Sequence, residues 1–191
     1  STHIEPLNFV SHSASQNQLN FIFGPNFLLR RGEDLAGCTV VDVGSRLGAV
    51  LYVAWNNTRA DKIVGIELNP WFCKVQNELI HERIPEFGDR ISIVQGSVLD
   101  HGDILAGADV VVLNNVFEFF TESKEAELEA WKFLVKNVSK KGARVVTIPS
   151  LEESAKKFGK EAEVMVKSWV KKAVIKNRFK HIEDEDVIEE L

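Results

Sequence analysis

The chain has 191 residues, 45% of them apolar, and a formal net charge of −5. That length and apolar fraction suffice for one α/β domain with a full core, and the acidic balance argues against a general nucleic-acid binder held by phosphate contacts. No apolar run approaches the roughly 20 residues of a membrane-spanning helix, no charged-then-apolar leader marks a secretory signal, and the scattered histidines suggest no metal site. Cys38 and Cys73 lie singly in apolar segments, which fits a reducing compartment, cytoplasmic or nuclear.

Residues 1–37 read as an N-terminal arm or cap. Ser11 to Asn20 is rich in Ser, Asn and Gln, Leu19 to Phe23 is an apolar patch, and Gly24-Pro25 is a turn signal. The arm either folds over a ligand crevice or covers a sheet edge; Arg30-Arg31-Gly32 is expected as exposed linker. Thr39-Val40-Val41, with Val43, reads as a strand buried on both faces. Gly44 and Gly48 bracket a tight turn, and Ala49 to Trp55 continues as a buried helix. Lys62 to Glu67 is a second strand ending in an acid. Asn69-Pro70 opens a helix to about Arg83, with Phe72, Val75, Leu79 and Ile80 on its core face. Arg90 to Gln95 is the third strand, and Asp100 is expected to N-cap a short helix at Ile104-Leu105. Ala108 to Leu113 is the fourth and most apolar strand. It delivers Asn114, Asn115, Val116, Phe117 and Glu118 at its carboxyl end, where open α/β sheets place their chemistry. Glu122 to Asn137 is a helix with Trp131 in its core stripe, and Ala143 to Ile148 is the fifth strand. Residues 151–191 read as a helical extension: a helix from Glu161 to Lys176, one late strand at Phe179 to Ile182, and a solvated acidic end. The expected fold is α/β, a three-layer Rossmann-like sandwich with a mostly parallel sheet and residues 38–150 as its core.

The strand–turn–helix at 38–55 places glycine backbone and a helix N-terminus beside a ligand crevice. Its D-x-G-x-x-x-G spacing, Asp42, Gly44 and Gly48, resembles the D-x-G-x-G-x-G signature of class I S-adenosylmethionine-dependent methyltransferases, and the resemblance runs from about Thr39 to Pro149. It implies S-adenosyl-L-methionine as cofactor, held by Asp42, Gly44, Ser45, Arg46 and Gly48 in the loop. Glu67 would hold the ribose hydroxyls with Leu68 beside it, Ser97 and Val98 would border the adenine, and Asn114 would complete the set. Two positions depart from the pattern. Arg46 stands where the middle glycine is usual, and would either block the loop or pair with the methionine carboxylate. Ser97 stands where an Asp is frequent.

Asn114-Asn115 followed by aromatics resembles the junction of the non-SET histone-lysine methyltransferases, the disruptor-of-telomeric-silencing type, although Val116 replaces their first Phe. It is also a weaker echo of the Asn-Pro-Pro-Tyr motif of other amino-group methyltransferases. The resemblance implies methyl transfer to a nitrogen of a protein side chain. Asn114 and Asn115 would orient the acceptor, Phe117 would wall the site, and Glu118 is a proton acceptor or a structural carboxylate. Two other classes stay open: a non-catalytic module retired by Arg46 and Ser97, and a nicotinamide oxidoreductase, which the glycine spacing disfavours. Oligomeric state is not legible.

Overall fold

The computed structural model describes residues 14–116, 123–173 and 187–190. Its centre is a pair of strands, β1 (Thr39–Val43) and β4 (Val110–Asn114). Both are β-branched runs whose side chains alternate between two cores. Val40, Val110 and Val112 enter one; Val41, Val43, Val111 and Leu113 enter the other. Strands that carry apolar side chains on both faces must be covered on both, and this one pair therefore dictates three layers. β2 (Lys62–Glu67), β3 (Ile91–Gln95) and β5 (Arg144–Ile148) add in parallel, as expected.

Helix α1 (Gln16–Ile22), helix α2 (Ala49–Asn57) and the widened last turn of α3 (Pro70–Glu78) pack on one face through Leu19, Ile22, Leu51, Ala54 and Ile80. Ser15 and Gln18 form a reciprocal cap at the start of α1. The turn after α1 buries Phe23, Phe27 and Leu28 completely or nearly so, and this segment is therefore part of the core as well as a neighbour of the crevice. The opposite face carries α4 (Gly102–Gly107), α5 (Lys124–Asn137), α6 (Leu151–Phe158) and α7 (Lys160–Trp169). Trp131 of α5 is fully buried there, edge-on to Phe158 at 5.9 Å. Trp169 closes the layer by donating its indole N–H to the Val138 carbonyl at 2.8 Å.

Arg90, just before β3, fixes the far end of α2. Its guanidinium donates to the carbonyls of Trp55 (2.7 Å), Thr58 (3.0 Å) and Ala60 (3.1 Å) and lies over the Trp55 ring at 5.2 Å. The first two are carbonyls that the end of α2 leaves without partners, and the third lies just beyond it.

The tail departs from expectation. The long helix expected at 161–176 stops at Trp169 and is preceded by a second helix, with Gly159 (φ 99°) at the break. β5 does not form the edge of the sheet. β7 (Val187–Glu190) pairs antiparallel with both β5 and the two-residue β6 (Lys171–Lys172), giving the order β3-β2-β1-β4-β5-β7-β6. The backbone groups on the free side of β5 need partners, and that demand draws the acidic end into the sheet. The late strand expected at 179–182 lies outside the described residues. Asp100 does not cap α4 either: Ser97 takes a capping role one turn earlier, its Oγ accepting from the Leu99 N–H at 3.3 Å.

Candidate functional site

A cavity of about 670 Å³ opens at the carboxyl ends of β1 to β4, within the usual range for a small-molecule site. Four strand-end segments build it, and α1 covers one side through Leu19, with Ala14 just ahead of it.

The first segment is the loop from β1 to α2. Gly44 has φ 74°, and a Cβ there would meet no protein atom within 4 Å; its bare Cα faces the cavity. The amides of Gly44 and Ser45 both donate to the Ile66 carbonyl, at 2.8 and 3.2 Å. Gly48 caps α2 at φ 83°, and a Cβ there would come within 2.5 Å of the Tyr52 hydroxyl. It shapes the turn and is not among the residues that line the cavity. Ser45 is among the residues that line the cavity. Its side chain is buried and turned into the protein, the Oγ donating to Gln76 Oε1 at 3.1 Å.

Arg46 takes a left-handed backbone (φ 51°), the conformation a glycine would supply at this position. Its amide donates to Glu67 Oε2 at 2.8 Å, and its guanidinium lies 6.0 Å from the Phe72 ring centroid at the cavity wall. The arginine is thus accommodated in the loop with the cavity left open.

Two acids face the cavity. Asp42 is 2% exposed, and its carboxyl accepts no hydrogen bond among the described residues. Burial, and then the neighbouring Glu67 charge, push its pKa well above the usual carboxylate range. The carboxyl is reachable from the cavity, where a ligand N–H or O–H could bond to it. Glu67, 6% exposed, accepts from the amides of Arg46 and Asn69 (2.7 Å). Each carboxylate oxygen keeps acceptor capacity for a ligand hydroxyl.

Leu68, 70% exposed, and Leu47, 53% exposed, stand at the rim. Phe72 was expected in the core but lines the cavity, because it sits in the first turn of α3, directly after the Asn69 cap. That position at a strand-to-helix junction was the available signal. Gly96, Ser97 and Val98 form the wall after β3. Asn114, Asn115 and Val116 form the wall after β4. Val112 pairs with Asp42 in the ladder, so Asn114, two residues on, leaves the sheet on the same face as Asp42. Asn115 is held at φ 53° by its amide donating to the Ile148 carbonyl at 2.7 Å. Phe117 and Glu118 lie outside the described residues. Of the described residues in the expected set, all but Gly48 line this one cavity.

No family model matches this chain, and no curated protein matches it by sequence. Solved structures do match. An RNA methyltransferase from Salinibacter ruber, in complex with S-adenosyl-L-homocysteine, is 20% identical with a TM-score of 0.51, over 71% of this chain and 76% of that one. The methyltransferase domain of bacterial CtHen1-C is 14% identical with a TM-score of 0.59, over 90% and 94%. A precorrin-6y C5,15-methyltransferase from Geobacter metallireducens is 17% identical with a TM-score of 0.55, over 96% and 92%. The fold is therefore that of the class I S-adenosylmethionine-dependent methyltransferases, in agreement with the three-layer Rossmann-like sandwich and the family resemblance read from the glycine loop.

Proposed function

We propose that this chain is an S-adenosylmethionine-dependent methyltransferase that acts on a nitrogen, the amine of a protein side chain. The observation that carries the reading is the cavity itself. Two buried acids and a bare glycine Cα line it together with two consecutive asparagines. The residues fit the cofactor. Asp42 lines the cavity as an acceptor for an ammonium or hydroxyl donor, Glu67 has acceptor capacity for ribose hydroxyls, and Leu68, Ser97 and Val98 offer walls for a planar ring.

When bound, S-adenosylmethionine supplies a methyl group on a sulfonium, open to in-line attack by a neutral nucleophile. The chain's own work is alignment and exclusion of water. Asn114 and Asn115 offer amide oxygens that accept from an amine N–H and hold its lone pair in one direction. Leu19, Val50 and Val116 make the adjoining wall apolar, which favours an amine arriving uncharged. The Asn-Asn junction supports nitrogen as the acceptor atom, and its likeness to the non-SET lysine enzymes supports a protein amine.

The test is substitution of an asparagine. Asn114→Ala should remove methyl transfer from labelled S-adenosylmethionine to a lysine-bearing protein mixture, while S-adenosylhomocysteine affinity stays within about twofold. Loss of both together would put Asn114 in the cofactor site or the core instead.

A further inference from the structure

Gln76 is completely buried in α3, at a position an apolar side chain would fill at no polar cost. Its Oε1 accepts from Ser45 Oγ at 3.1 Å, and its Nε2 makes a longer bond to the Phe72 carbonyl at 3.4 Å. The slot that receives Ser45 is built from three elements. Gln76 closes it from α3, Leu51 from α2, and Gly65 leaves room on β2. A Cβ on Gly65 would lie 2.7 Å from Ser45 Oγ and 2.8 Å from Leu51 Cδ1. Ser45 is also where the loop's backbone bonds converge. Its amide donates to Ile66, and its carbonyl accepts from Gly48 at 2.7 Å. The next residue, Arg46, holds a left-handed conformation that a non-glycine residue disfavours, with its amide on Glu67.

We infer that Gln76 is a positioning residue for the cofactor loop: through Ser45 it holds Arg46 in its left-handed conformation and keeps the Arg46 amide on Glu67. That restraint lets an arginine stand where a glycine is usual without closing the cavity. Its bearing on ligand affinity rests on the cofactor reading above, but the loop geometry does not.

The test is amide hydrogen exchange by nuclear magnetic resonance on the ligand-free chain. Gln76→Met removes both side-chain bonds and keeps an unbranched side chain that packs well. Ser45→Ala cuts the same link from the loop side and serves if Gln76→Met does not fold. In either variant, exchange at the Arg46 amide should rise at least about fivefold, while Val41 in β1 and Val111 in β4 keep their wild-type protection. In an Arg46→Gly background, Gln76→Met should no longer raise exchange at that position, since glycine needs no restraint there. S-adenosylhomocysteine affinity should fall about tenfold in Gln76→Met. An unchanged Arg46 amide in both variants would overturn the inference. So would a rise shared by Val41 and Val111, or one that persists at full size in the Arg46→Gly background. If the wild-type chain binds no S-adenosylhomocysteine, the cofactor reading fails while the exchange result still decides the positioning role.

Discussion

Glutamine in place of Glu67 tests the strand-end carboxylate as the organiser of the loop. The wild-type carboxylate accepts from the Asn69 amide at 2.7 Å and from the Arg46 amide at 2.8 Å. A hydrogen bond to a charged group contributes about 1.5–3 kcal/mol, a neutral one about 0.5–1.5 kcal/mol. The glutamine amide keeps one acceptor, so one bond weakens by about 1 kcal/mol. Its NH2 must face the other backbone N–H, so the second bond, about 2 kcal/mol, is lost. One effect opposes these losses: removing the charge relieves Asp42, whose carboxyl is destabilised as an anion first by burial and then by Glu67. An Asp42→Asn background takes that relief away, and there the loss of the two bonds costs about 3 kcal/mol. For a chain of this size the melting temperature of the double variant should fall by about 6–12 °C below that of Asp42→Asn alone. Differential scanning calorimetry of ligand-free protein near neutral pH reads this directly. Glu67→Asp in the same background should also melt low, because the shorter side chain cannot span both amides. A glutamine variant that melts within about 1 °C of its Asp42→Asn parent would refute the role of Glu67 as the anchor of Arg46 and Asn69.

Other perturbations test the site and its supports. Asp42 has a raised pKa in the folded chain. The folded state therefore binds its proton more tightly than the unfolded state, and stability is lost as pH rises from the unfolded carboxylate pKa towards the folded one. Asp42→Asn should melt above wild type near neutral pH, with the advantage fading as pH falls towards about 4, and should bind S-adenosylhomocysteine more weakly. A variant that melts below wild type at neutral pH would contradict the burial argument. Arg90→Ala strips three carbonyls at the end of α2 of their donor and should cost about 2–4 kcal/mol. Arg90→Lys should recover less than half of that, since an ammonium lacks the planar fork. Chemical denaturation measures both, and a fully restored lysine variant would show that charge alone suffices.

The strands were readable because each is a local pattern. Val40, Val41 and Val43, like Val110 to Leu113, are apolar without alternation, and only a sheet covered on both faces satisfies them. The Asn69-Pro70 start of α3 was readable because a cap is made by neighbours in sequence. The cavity residues Asp42, Glu67, Val98 and Asn114 followed from strand ends, which the topology gathers at one side. What stayed hidden depends on partners distant in sequence. Ser45 has no local reason to turn inward; Gln76, thirty-one positions away, and the bare Cα of Gly65 supply it. Phe72 fits a core stripe by periodicity, yet it belongs to the first turn of a helix that starts at the crevice. The acidic Val187–Glu190 segment reads as solvated end, and the unpaired edge of β5 makes it a strand. Arg46 shows the same limit in the backbone: its left-handed φ is written in its bonds to Glu67, not in its own propensity.

The most direct measurement is calorimetric titration of the folded chain with S-adenosylmethionine and S-adenosylhomocysteine, with NAD as control. A methyltransferase site built from Asp42, Glu67 and the Gly44 turn predicts a one-to-one complex with both sulfur compounds, of micromolar order, and no heat from NAD. A chain that melts cooperatively yet binds neither sulfur compound would contradict the enzyme reading, and would leave a methyltransferase fold serving as a non-catalytic module.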